Sequence, residues 1–127
     1  MTGEKILVVD DEPDIVETLS FRLEQEGYAV ITAVDGLEAL DKARNESPDL
    51  IILDIMMPKL DGFQVSRLLK FDERYQDIPI IMLTAKTQEQ DVATGKKTGG
   101  DEYVKKPFDA KELMEKIKSR LAMRRRT

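Results

Sequence analysis

Three stretches of the chain are apolar without alternation, and each ends on polar side chains. Residues 50–53 are Leu, Ile, Ile and Leu before Asp54; residues 6–9 are Ile, Leu, Val and Val before Asp10 and Asp11; residues 80–83 are Ile, Ile, Met and Leu before Thr84. A strand of this kind has no face to give to water, so it belongs in a parallel sheet covered by helices on both sides. Residues 28–33 and 102–107 read as the remaining strands, the last ending on Lys106 and Pro107.

Between the strands the apolar period lengthens to that of a helix. Pro13 suits a first helical turn, with Val16, Leu19 and Leu23 on one face and Gly27 as the stop. Asp35-Gly36 leads into a helix carrying Leu37, Leu40 and Ala43, and Asp61-Gly62 into one carrying Phe63, Val65, Leu68 and Leu69. Asp109 with Glu112 resembles a capping box opening a final helix with Leu113, Met114, Ile117 and Leu121. Residues 88–98 have Val92 as their only large aliphatic and contain Gly95, which predicts a weakly amphipathic fourth helix and a candidate mobile element. Five strands alternating with five helices predict an α/β fold, a flavodoxin-like, doubly wound parallel sheet of order 2-1-3-4-5. A single domain accounts for residues 1–127, with its core in 5–121 and a basic end in 122–127 that is a solvated helix end or the start of a linker.

Charge and composition remove several classes of function. With 20 Lys plus Arg against 25 Asp plus Glu, the net charge of -5 disfavours wrapping nucleic acid, which depends on clustered positive charge. There is no Cys, hence no disulfide or thiolate metal site, and no His, hence neither the usual general base nor the usual zinc ligand. No apolar run of membrane-spanning length and no signal-peptide pattern occurs, so the cytoplasm is the expected compartment.

In the expected strand order the first and third strands end side by side, and ligands of open parallel sheets bind beyond such ends. Asp10, Asp11, Asp54, Thr84 and Lys106 are therefore expected in one crevice. Carboxylates so placed repel by several kcal/mol per close pair at an effective dielectric of about 20. Lys106 supplies one positive charge, and an all-oxygen cluster suits a hard divalent cation, of which magnesium is the abundant one. Asp10 and Asp11 suit the metal, directly or through water, while Asp54 stands opposite them as a nucleophile towards phosphorus. Lys106 and the Thr84 hydroxyl would meet the phosphoryl oxygens. With neither a histidine nor a Gly-x-x-x-x-Gly-Lys phosphate loop, the phosphoryl group is expected to come from another molecule.

Asp10-Asp11-Glu12-Pro13, Asp54-Ile55-Met56-Met57-Pro58 with Asp61-Gly62, Leu83-Thr84-Ala85, and Tyr103 with Lys106-Pro107-Phe108 resemble, in order and spacing, the receiver domains of two-component response regulators, of the single-domain chemotaxis and sporulation-relay type. The resemblance covers residues 5–121. It implies phosphorylation of Asp54 by a sensor histidine kinase or a histidine phosphotransfer protein. It implies Mg2+ held by Asp11, Asp54 and the main-chain carbonyl of Met56, with Asp10 acting largely through water, and a cis bond before Pro107. A switch is implied as well: Thr84 moves towards the phosphoryl group and Tyr103 turns into the vacated space. Residues 88–98, the fifth strand and the last helix then change together as the surface read by a downstream protein target. Ile15, Thr18 and Arg22, off the apolar stripe of the first helix, stand with Pro107 and Phe108 where the family docks its kinase. Met56 and Lys86 occupy places that tune phosphoryl lifetime, and Gly99-Gly100-Asp101-Glu102 replaces the commoner Gly-Ala-Asp-Asp.

Taken singly, each residue has a plainer reading: Asp10 and Asp11 as a helix cap, Thr84 as a strand-end hydroxyl, Lys106 as a solvated charge, Tyr103 as sheet filler. Their arrangement outweighs these. The leading expectation is a stand-alone receiver, a binding switch and not an enzyme, catalysing only its own phosphorylation and autodephosphorylation. The alternative is the N-terminal regulatory domain of a DNA-binding response regulator, against which stands the lack of a recognition helix or basic stripe. Direct nucleic-acid and membrane partners are not expected. A magnesium-dependent aspartyl-phosphate phosphatase of the haloacid-dehalogenase-like kind would want a second Asp where Met56 stands, and a cap that this length scarcely allows. A flavin protein of the same topology is disfavoured because the acidic cluster would repel the cofactor's phosphate.

Overall fold

The computed structural model describes residues 3–57, 59–84 and 101–125. Its elements are β1 (Lys5–Val9), α1 (Pro13–Gln25), β2 (Ala29–Ala33), α2 (Gly36–Glu46), β3 (Leu50–Asp54), α3 (Gly62–Lys70), β4 (Ile80–Thr84), β5 (Glu102–Lys105) and a last helix, here α4 (Ala110–Arg125). All strand pairs are parallel and the sheet order is β2-β1-β3-β4-β5. The described residues hold four helices; the further helix expected over residues 88–98 lies outside them.

Strand alternation divides the core in two. Ile6, Val8, Leu50, Ile52, Ile81 and Leu83 face one side, under Leu19 and Leu23 of α1 and Leu113, Met114, Ile117 and Leu121 of α4. Leu7, Val9, Ile51, Leu53, Ile80 and Met82 face the other, under Ala39, Leu40 and Ala43 of α2 and Val65 and Leu69 of α3. Every residue of β3 and β4 is buried, so a continuous apolar run is what these strands require.

Several local expectations shift. Leu37 and Leu68 are exposed; Ala39 and Ser66 take buried places instead, because the buried sector of α2 runs through Gly36, Ala39, Leu40 and Ala43 and that of α3 through Gly62, Val65, Ser66 and Leu69, turned from the apolar stripe. Ile15 is partly buried against the α1/α4 cluster and does not sit wholly off the stripe. Asp109 caps α4 through the Lys111 amide at 2.9 Å, whereas a full capping box forms at Asp61 and Gln64 of α3. Arg124 is no solvated end: its guanidinium meets the Asp49 carboxylate at 2.9 Å and the Asp49 carbonyl at 3.2 Å.

The turn after β3 is clamped between two helix N-termini. Gly62 donates its amide to the Ile55 carbonyl at 2.8 Å, and a Cβ on Gly62 would lie 2.7 Å from the Asp54 carbonyl oxygen. A Cβ on Gly36 would collide with the Leu60 backbone. Lys59, in the left-handed region at φ 72°, reaches the Asp35 carboxylate at 3.3 Å. Gly62→Ala is expected to cost about 1–3 kcal/mol through this crowding, and Leu23→Ala about 2–5 kcal/mol through an unfilled core. Urea midpoints at unchanged slope are the measurement.

Candidate functional site

The sheet register assembles the site. Val9 pairs with Leu53, so Asp10, just past β1, stands beside Asp54 at the end of β3. Thr84 ends β4 opposite Lys105, and the Lys106 amide donates to the Thr84 carbonyl at 2.6 Å. Asp10, Asp54 and Thr84 are buried polar residues, at 0%, 4% and 2% exposure. The bond between Lys106 and Pro107 is cis, as the resemblance implied.

Lys106 Nζ lies 3.1 Å from Asp10 Oδ2, 3.3 Å from Glu12 Oε1 and 3.4 Å from Asp54 Oδ2. Backbone amides hold the carboxylates in turn: Glu12 N donates to Asp10 Oδ1 at 3.0 Å and Met56 N to Asp54 Oδ1 at 3.3 Å. Burial, with the Asp10 charge beside it, pushes Asp54 up to about 6, against the pull of Lys106 and the Met56 amide. Lys106 is held above its ordinary value: burial opposes its charge, but the hydrogen bond to Asp10 and the charges of Asp54 and Asp10 prevail.

Carboxylate oxygens of Asp10, Glu12 and Asp54 lie within 4.8 Å of one another, an oxygen donor set able to hold a hard divalent cation. Asp11, expected as a direct ligand, is exposed, as Glu12 is, and of the two it is Glu12 whose carboxylate falls within this set. In the sequence Glu12 stands only as part of the Asp10-Asp11-Glu12-Pro13 motif, with no site role of its own, and it makes no side-chain cap on α1. Its tie to Lys106 spans 94 positions, a separation that no local pattern encodes. The Met56 side chain is exposed at 67%.

Ile15, Thr18, Pro107 and Phe108 come together, with Glu12 and Lys106, around an open hollow of about 510 Å³. Arg22 is not on that lining and pairs with Glu26 at 3.9 Å. Tyr103 packs against the α2/α3 side of the core, and its buried hydroxyl has no hydrogen-bond partner among the described residues. Lys86 and residues 88–98 lie outside those residues.

With this geometry in place, comparison with known proteins gives the class. The family model for the response regulator receiver domain matches residues 6–118, and the chain belongs to that family, a component of two-component systems. It is 51% identical over 117 residues to the alkaline phosphatase synthesis transcriptional regulatory protein PhoP of Bacillus subtilis, covering 92% of this chain and 48% of that protein. It is 46% identical to the DNA-binding dual master transcriptional regulator RpaA of Synechocystis, again covering 92% and 48%. The chain thus spans about half the length of these curated relatives. Among solved structures, the signal receiver domain of a signal transduction histidine kinase from Syntrophus aciditrophicus superposes with a TM-score of 0.93 at 34% identity, covering 98% of this chain and 95% of that one. No helix among the described residues is long and apolar enough to cross a membrane.

The raised Asp54 value fixes a pH dependence. Between the ordinary aspartate range and about 6, the native protein keeps a proton that the unfolded chain has released. Stability in metal-free buffer is therefore expected to fall as pH rises across that window. Asp54→Asn should remove the decline and be more stable than wild type above it, by about 1–3 kcal/mol, as read from urea unfolding at about pH 4 and about pH 8.

Proposed function

We propose that Asp54 accepts a phosphoryl group from a sensor histidine kinase or a histidine phosphotransfer protein in a magnesium-dependent reaction, and that the resulting aspartyl phosphate switches a protein-binding surface in the cytoplasm. The observation that carries this reading is the buried Asp54 carboxylate, 3.4 Å from the Lys106 ammonium and beside buried Asp10. Magnesium held by Asp54, Asp11 and the Met56 carbonyl, with Asp10 acting largely through water as the family resemblance implies, would neutralise charge on the phosphoryl oxygens. An Asp54 oxygen attacks phosphorus, Lys106 compensates the incoming charge, and Thr84, ending the adjacent strand, supplies a hydroxyl beside it. The chain acts as a switch and not as an enzyme on other substrates.

Phosphorylation adds about -1.5 to -2 charges at a buried strand end. Thr84 and Tyr103, on neighbouring strands β4 and β5, are the residues through which this change reaches the β5/α4 surface and a downstream protein target. Ile15, Thr18, Pro107 and Phe108 form the hollow in which the phosphodonor protein docks, with Arg22 further along α1. A second reading is favoured by the relatives named as transcriptional regulators, of which this chain matches about half. On that reading the domain is the regulatory part of a DNA-binding regulator, and DNA contact belongs to another domain.

Incubation with acetyl phosphate and Mg2+, followed by intact-mass measurement, is expected to give one labile phosphoryl adduct. Asp54→Asn and magnesium-free samples should give none. An adduct retained in Asp54→Asn would move the acceptor elsewhere.

A further inference from the structure

Glu12 belongs to two surfaces at once. It precedes α1 without capping it, and its carboxylate turns instead to Lys106 at 3.3 Å. With Lys106 it also lines the hollow formed by Ile15, Thr18, Pro107 and Phe108. Of the three carboxylates around Lys106, the side chains of Asp10 and Asp54 are 0% and 6% exposed, and that of Glu12 is 61% exposed. An ammonium has three N–H donors, and three carboxylates stand around this one. For a phosphoryl oxygen to take up Lys106, one of them must yield. Asp10 is enclosed and Asp54 is the reacting group, so Glu12, free to rotate into solvent, yields at least cost.

We infer that Glu12 is a specificity-determining residue for the phosphodonor: in the free protein it engages Lys106, and its charge at the mouth of the site repels small dianionic donors. The inference rests on Asp54 being the phosphoryl acceptor. In the reaction with acetyl phosphate an Asp54 oxygen bonds to phosphorus as the bond from phosphorus to the acetyl oxygen breaks; acetate leaves with the bonding pair, and no proton moves.

The test compares wild type, Glu12→Gln, Glu12→Asp and Asp54→Asn, each with acetyl phosphate and with the less negatively charged phosphoramidate, at low and at near-physiological ionic strength. Glu12→Gln should label from acetyl phosphate about five- to tenfold faster at low salt, the effect of one unit charge on a nearby dianion in a largely aqueous setting. The gain should shrink as salt is added. With phosphoramidate the change should stay within about twofold, Glu12→Asp, which keeps the charge, should show no gain with either donor, and the thermal midpoint of Glu12→Gln should match that of wild type. Equal rates for Glu12→Gln and wild type overturn the inference, as does an equal gain with both donors, which would leave only the release of Lys106. Slower labelling together with weaker Mg2+ binding by calorimetry overturns it in favour of Glu12 as a metal ligand. A folded wild type that does not label at all removes the acceptor assignment and this inference with it, an outcome distinct from the others.

Discussion

One ammonium shared by three carboxylates organises this end of the molecule. Asp10 and Asp54 are taken out of water at the ends of adjacent strands, and Lys106 is the positive charge that the described residues bring between them. A single lysine does not fully offset that desolvation, and the upward shift of Asp54 to about 6 is the residual strain. A site left short of positive charge suits a hard divalent cation.

The surrounding fold keeps these charges from escaping to solvent. Parallel pairing of β1 with β3 and of β3 with β4 puts three strand ends at one level, and burial of both sheet faces prevents the strands from sliding. The turn after Asp54 is held from two sides, by Gly62 against the β3 backbone and by Gly36 and Asp35 against Leu60 and Lys59. At these contacts a side chain would occupy the space that a neighbouring backbone needs. The opposite end of the sheet is tied differently: Lys70 reaches the Asp101 carboxylate at 2.8 Å, and Arg120 reaches Glu102 at 2.8 Å. Ion pairs on partly exposed side chains of this kind contribute little each, so the apolar layers carry the stability and the ion pairs set register.

Helix faces were read less accurately than strands. Leu37 and Leu68 have the spacing of core residues yet face water, because the faces that α2 and α3 bury are those of Ala39, Leu40 and Ala43 and of Val65, Ser66 and Leu69. Amphipathic spacing specifies a helix and its approximate face, but the angle at which the helix crosses the sheet selects which apolar residues are enclosed. The capping box at Asp61 and Gln64 and the Arg124 pairing with Asp49 depend likewise on how segments meet.

The sequence by itself determined the five-stranded parallel sheet, its order, and the convergence of Asp10, Asp54, Thr84 and Lys106, since unbroken apolar runs ending in charged or hydroxyl residues admit few other arrangements. Tertiary structure alone decided that, of the exposed neighbours Asp11 and Glu12, it is Glu12 that meets Lys106, and that Glu12 and Lys106 are shared with the neighbouring hollow. The reason is physical: adjacent residues leave a strand in directions set by the turn that follows, and a charge pairs with whatever the fold brings within about 4 Å, however distant along the chain.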